Sequence, residues 1–173
     1  MSKTLVTYFS ATGRTRRLAE EISKEFNLDI YEIKPKELYQ DKDLNWINPL
    51  SRSSKEHRNK DLMPEIENND ANISEYDKII ICYPVWWYVA PNIINNFLKS
   101  YDFSNKKILL FATSGGSGFG KTVQVLKQYV NSSCEIQEGA VNPSLEEIKN
   151  TMKNFIWNKN CNEKRNGWWI KKF

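Results

Sequence analysis

Residues 3–15 read KTLVTYFSATGRT. Lys3 to Ser10 is rich in β-formers, Ser10 to Thr15 is a hydroxyl-rich turn, and Leu18, Ala19, Ile22 and Phe26 then recur at helical spacing through Thr15 to Phe26. This is a strand that feeds a helix. Outward from it the pattern repeats: Asp29 to Ile33 reads as a second strand, and KIIICY from Lys78 to Tyr83 as a buried third. Ile93, Ile94, Phe97, Leu98 and Tyr101 mark the next helix, and KILLFAT from Lys107 to Thr113 a further strand. Val123, Leu126 and Val130 suit a helix after that, and Leu145, Ile148, Met152 and Phe155 a last one. Alternation of helices with nearly continuous apolar strands predicts an α/β fold, a parallel sheet covered on both faces. The stretch from Pro35 to Ser74 is polar, interrupted by Pro49 and Pro64, and is the least regular connection. So long a connection in a compact domain is usually functional or disordered.

Composition narrows the function. The chain has 173 residues, 40% hydrophobic and 27% charged, enough for one packed domain. Its longest apolar runs, Ile79 to Cys82 and Ile108 to Ala112, fall far short of the ~20 residues that span a bilayer, so no membrane span is expected. The amino-terminal apolar stretch is broken by Thr7 and Ser10, unlike a secretion signal, and the expected location is cytoplasmic. Cys82, Cys134 and Cys161 have no metal-site spacing, and the single histidine, His57, sits in a charged stretch read as solvated. The net charge of +4 is carried by residues 158–173, NKNCNEKRNGWWIKKF, which hold five bases and one acid and leave 20 of each elsewhere. A neutral body does not fit a nucleic-acid surface. The chain accordingly divides into a domain over residues 1–157 and a basic, aromatic tail over 158–173, read as a frayed terminus. Nothing in the sequence indicates an oligomeric state.

Three strand ends carry unusual chemistry, and ligands of open parallel sheets bind beyond the carboxyl ends of strands. Ser10, Thr12, Gly13, Arg14 and Thr15 open a helix with hydroxyls and backbone N–H groups converging as a phosphate monoester requires, although Ser and Thr also cap helices for local reasons. Pro84, Val85, Trp86, Trp87 and Tyr88 follow the third strand. Neighbouring strand residues face opposite ways, so one tryptophan at least is expected at the ligand edge, unless both serve the core or a dimer contact. Thr113, Ser114, Gly115, Gly116, Ser117 and Gly118 would let the backbone donate N–H groups to the edge of a ring. Gly115 to Thr122, GGSGFGKT, also matches the Walker A pattern of a P-loop NTPase. No apolar strand ends in the acid that would help to hold magnesium, which leaves this a remote alternative.

SATGRT, PVWWY and TSGGSGFG, in this order, resemble the flavodoxin-like family, specifically its short bacterial FMN-binding branch. Tyr39, Asp43, Leu44, Trp46 and the run from Ser51 to Glu56 resemble that branch's connecting segment, and the resemblance covers residues 3–156. It implies a three-layer sandwich around a five-stranded parallel sheet in the order 2-1-3-4-5, with FMN at the switch point. The first loop would hold the FMN phosphate, Pro84 to Trp87 would line the isoalloxazine, and Thr113 to Gly118 would meet its other side and pyrimidine edge. It further implies electron transfer through non-covalently bound FMN, with redox partner proteins. The alternative is an NAD(P)H-dependent FMN reductase acting on flavins, quinones or nitro compounds. Three features depart from the branch, one being residues 158–173, which are extra because the family usually ends near the last helix. Carriers of this family tend to be acidic, and Tyr88 stands where the family usually has glycine. A side chain with a Cβ resists positive φ, so Tyr88 is expected to hinder the peptide flip that favours one-electron-reduced flavin.

Overall fold

The structure is a computed structural model and describes residues 2–157; the basic tail lies outside the described residues. Five strands form one parallel sheet: β1 (Thr4–Tyr8), β2 (Asp29–Glu32), β3 (Lys78–Pro84), β4 (Lys107–Thr113) and β5 (Glu135–Val141), in the order β2-β1-β3-β4-β5. Strand periodicity of two sorts the central residues onto opposite faces. Leu5, Ile79, Ile81, Ile108 and Leu110 pack on one face with α3 (Asn92–Ser100) and with Leu126 of α4 (Thr122–Leu126). Val6, Ile80, Cys82, Leu109 and Phe111 pack on the other with α1 (Arg14–Phe26) and α5 (Leu145–Trp157). The expected α/β sandwich and strand order are both present.

Three elements differ from the sequence reading. β5 was not visible as an apolar run because this edge strand keeps Glu135, Gln137 and Glu138 largely in solvent, and its register with β4 shifts at Leu110/Phe111. The helix expected through Val130 stops at Leu126, where Gln128 and Tyr129 donate to carbonyls three residues back; Val123, Val125 and Tyr129 are weak helix formers. The irregular connection contains a further short helix, α2 (Arg52–Arg58), capped by the Ser51 hydroxyl, which accepts from the Ser54 N–H. Its inner face is Ser53, Ser54 and Glu56, so no apolar period announced it.

α5 runs back from the carboxyl edge of the sheet. Its last turn is held at the opposite edge by the ammonium of Lys78, the first residue of β3, which donates to the carbonyls of Phe155 and Ile156 at 2.9 Å each. Among the described residues, no helix is long and apolar enough to cross a membrane.

Candidate functional site

The three loops singled out in the sequence meet at the carboxyl ends of β1, β3 and β4. The turn from Ser10 to Thr15 folds on itself: the Ser10 hydroxyl accepts from the Gly13 N–H at 3.0 Å, and Gly13, at φ 85, leads into α1. Thr15 is buried, and its hydroxyl is 2.8 Å from that of Thr113 at the end of β4, which ties the first loop to the third. Thr12 and Arg14 face solvent. The N–H groups of Thr12, Arg14 and Thr15 have no partner among the described residues. A helix cannot satisfy the donors of its own first turn, and its dipole makes that end positive. The turn therefore offers a cluster of donors to an anion.

β3 and β4 are joined beyond their last paired residues by the Val85 N–H, which donates to the Thr113 carbonyl at 2.8 Å. After half-buried Pro84 and Val85 the chain makes a two-residue hairpin: Trp86 and Val89 exchange both backbone hydrogen bonds, at 3.0 and 3.1 Å. The central residues, Trp87 and Tyr88, have φ of 49 and 63, as a turn of this tight, mirror-image type requires. Tyr88 therefore adopts the positive φ that its side chain was expected to resist. Its carbonyl accepts from the Lys121 N–H at 2.9 Å. Gly120, φ 57, permits the contact, since a Cβ there would lie 2.2 Å from that carbonyl oxygen. The turn is held in an uncommon conformation by the loop after β4.

The aromatic side chains divide as alternation demands. Trp86 turns inward and meets Phe9 and Tyr39 edge-on, with centroids 5.7 and 5.3 Å away. Trp87 lies flat on His57, centroids 4.9 Å apart and planes 16° apart, so His57 is a stacking partner and not simply a solvated residue. Both tryptophans are half-buried, while Tyr88 is 66% exposed. With Leu44, Trp46 and Ser53, the residues Val85 to Trp87 line a cavity of about 270 Å³.

Behind Trp86 sits a buried polar knot. The Tyr39 hydroxyl donates to Glu56 at 2.6 Å, the Arg52 guanidinium donates to the other carboxylate oxygen at 2.8 Å, and Arg52 lies over the Tyr39 ring at 4.1 Å. Burial, and then the Glu56 charge, push the Tyr39 phenol up. Burial raises Glu56 despite the two donors. The knot fixes Tyr39, and Tyr39 fixes the edge of Trp86.

The third loop is more self-contained than its glycines suggest. Ser114 is buried, and its hydroxyl accepts from the N–H groups of Gly116 and Ser117, at 3.1 and 2.8 Å, and is 2.9 Å from the Ser117 hydroxyl. The Asn142 amide accepts from the Ser114 N–H and donates to its carbonyl, at 3.0 and 2.8 Å. Three of the backbone donors expected for a ligand are thus occupied, and Gly115 and Gly118 are left facing solvent. Asn142 was missed in the sequence, where the Asn142-Pro143 turn signal was the available hint. Lys121 and Thr122 do not fit a Walker A site: Thr122 is fully buried, and its hydroxyl donates to the Phe119 carbonyl at 2.7 Å instead of facing a ligand.

Comparison with known proteins follows the same lines. The family model described as flavodoxin matches residues 3–159. A Bacteroides eggerthii protein, its crystal structure described as that of a candidate flavoprotein, is 39% identical with a TM-score of 0.83, over 92% of this chain and 100% of that one. A similar candidate flavoprotein from Bacteroides uniformis is 37% identical with a TM-score of 0.81, over 88% and 98%. A Lactobacillus acidophilus flavoprotein, crystallised in complex with FMN, is 23% identical with a TM-score of 0.67, over 92% and 100%, a likeness of fold alone. No curated protein matches the chain.

Proposed function

Because this chain belongs to the flavodoxin family, we propose that it binds FMN non-covalently at the carboxyl edge of its sheet and passes electrons through it to and from partner proteins. The observation that carries this reading is the donor cluster at Ser10 to Thr15, welded through Thr15 and Thr113 to the loop that would meet the ring. Its chemistry fits a phosphate monoester: backbone N–H groups of Thr12, Arg14 and Thr15, the Thr12 hydroxyl, the Arg14 charge and a helix amino terminus. FMN, once bound, supplies reversible one- and two-electron chemistry that no side chain here provides.

The rest of the work is positioning. Trp86 and Trp87 form a wall for the isoalloxazine, Trp86 held by Phe9 and Tyr39, and Trp87 backed by His57. Gly115 and Gly118 keep N–H groups available to the ring edge, while Ser114, held by Asn142, sets the shape of the loop. Trp46 and Tyr88, 72% and 66% exposed, give a redox partner an apolar approach. Among the described residues the thiols of Cys82 and Cys134 are buried and free of disulfides, which agrees with a reducing cytoplasm.

The purified protein should show the absorption bands of bound oxidised flavin, or acquire them stoichiometrically when FMN is added. A protein that binds no FMN at micromolar concentration would end this reading. Steady oxidation of NADH or NADPH with a quinone or nitro acceptor, and no partner protein, would replace the carrier with a reductase.

A further inference from the structure

On the far side of Trp87 and Tyr88 lies a second cavity of about 570 Å³, within the ~300–1,000 Å³ range typical of small-molecule sites. No residue of Ser10 to Thr15 or Thr113 to Gly118 lines it. Its walls come instead from the turn Trp87–Ala90, from the end of α2 and Lys60 beyond it, from the first turn of α3, and from Gly120, Lys121 and Val125 at α4.

Three properties define what it could hold. Much of the wall is apolar, with Trp87 stacked on His57 on one side and Val125 on another. Every charged residue of the lining is cationic: Lys60 and Lys121 are both exposed, which sets them at the mouth, and no carboxylate lines the cavity. Asn95, 1% exposed, also lines it, and its amide oxygen has no hydrogen-bond donor among the described residues. A buried acceptor without a donor is uncommon in folded proteins and is unfavourable unless something completes it. The Trp87–Tyr88 wall is fixed from behind by the Lys121 N–H on the Tyr88 carbonyl, so the cavity keeps its shape.

We propose that this cavity binds a planar aromatic carboxylate whose inner end carries a hydroxyl. The acid would sit between Lys60 and Lys121, the ring against the edge of the His57–Trp87 stack, and the hydroxyl would donate toward Asn95. Occupied in this way, the His57–Trp87 stack would carry a ligand away from the flavin loops. The two sites then share one aromatic wall without sharing space.

The probe is 6-hydroxy-2-naphthoate, which has an acid and a hydroxyl at opposite ends of a rigid apolar body, with 2-naphthol as its uncharged counterpart. Calorimetric titration of both into the protein, with and without added FMN, reads the site directly. The expected result is saturable binding of the acid that FMN leaves unchanged. The double variant Lys60→Gln/Lys121→Gln should weaken the acid tenfold or more and 2-naphthol less than twofold. Val125→Trp, which fills the cavity, should abolish both while leaving FMN affinity intact. The proposal falls if the acid does not saturate, if acid and naphthol weaken equally in the double variant, or if FMN and the probe compete. Competition would show that the cavity belongs to the flavin, whereas a protein that binds the probe but no FMN would overturn only the flavin reading.

Discussion

Tyr88→Gly should make this protein more stable, although it deletes an entire aromatic side chain. Tyr88 sits at φ 63 in the second central position of the hairpin turn and is 66% exposed. A Cβ in the left-handed region costs roughly 1–2 kcal/mol, and a glycine there loses about 0.5–1 kcal/mol through the greater freedom of the unfolded chain. With little buried surface at stake, the balance is a gain of about 0.5–1 kcal/mol. For a domain of this size that raises the melting temperature by about 1–4 °C. The decisive comparison is with Tyr88→Ala, which removes the same ring atoms and keeps the Cβ. Thermal and urea unfolding should rank glycine above alanine by about 1 kcal/mol, the reverse of their usual order in regular structure. Alanine equal to or above glycine would show that the turn is not strained at this residue.

Four further outcomes follow from the site. Thr12→Ala removes a donor to a charged group, worth about 1.5–3 kcal/mol, so FMN affinity should fall roughly tenfold to a hundredfold, while riboflavin, which lacks the phosphate, is unaffected; equal weakening of both ligands would refute the phosphate assignment. Asn142→Ala strips both backbone groups of Ser114 of their partner and should cost about 2–4 kcal/mol in urea unfolding, with weaker FMN binding; a loss well under 1 kcal/mol would mean that the loop holds itself. Burial, and then Arg58, hold His57 below its ordinary value of 6.5, so the unfolded chain takes up the proton more readily and stability should decline as pH drops below about 6.5. The decline should be shallower in His57→Gln, and a steeper one would mean that the imidazolium gains from Trp87. Truncation after Trp157 should leave FMN affinity unchanged, because α5 ends at the edge of the sheet opposite the three loops; a large loss would bring the tail to the site.

The central fold was legible because its physics is local and repetitive. Ile79 to Cys82 and Ile108 to Ala112 are apolar on both faces, which only a covered parallel strand requires, and the helices after them carry 3.6-residue stripes. β5 and α2 escaped for the opposite reason. One is an edge strand, half in water, and the other buries Ser53, Ser54 and Glu56 against polar partners. The loops of the site could be located, since turn residues and paired tryptophans at strand ends have no structural periodicity to obey. Their internal wiring could not: the Ser114–Asn142 pairing joins residues 28 apart, and nothing in either segment alone announces it.

Tyr88 is the instructive case, because the sequence marked it as a residue for which positive φ is costly, and the structure places it at φ 63. A lone bulky residue avoids positive φ, but this one is not alone. The paired bonds of Trp86 and Val89 close the turn, the Lys121 N–H holds the Tyr88 carbonyl, and Gly120 gives up its own side chain to allow the approach. Each bond contributes about 0.5–1.5 kcal/mol, so together they are comparable with the strain of about 1–2 kcal/mol at each of Trp87 and Tyr88. The same bonds change what limits peptide reorientation at the proposed flavin site. To turn its carbonyl toward a ring, residue 88 would have to release Lys121, whatever its side chain. The lock therefore lies in the third loop as much as in the second, and glycine at position 88 alone would remove the strain without removing the lock.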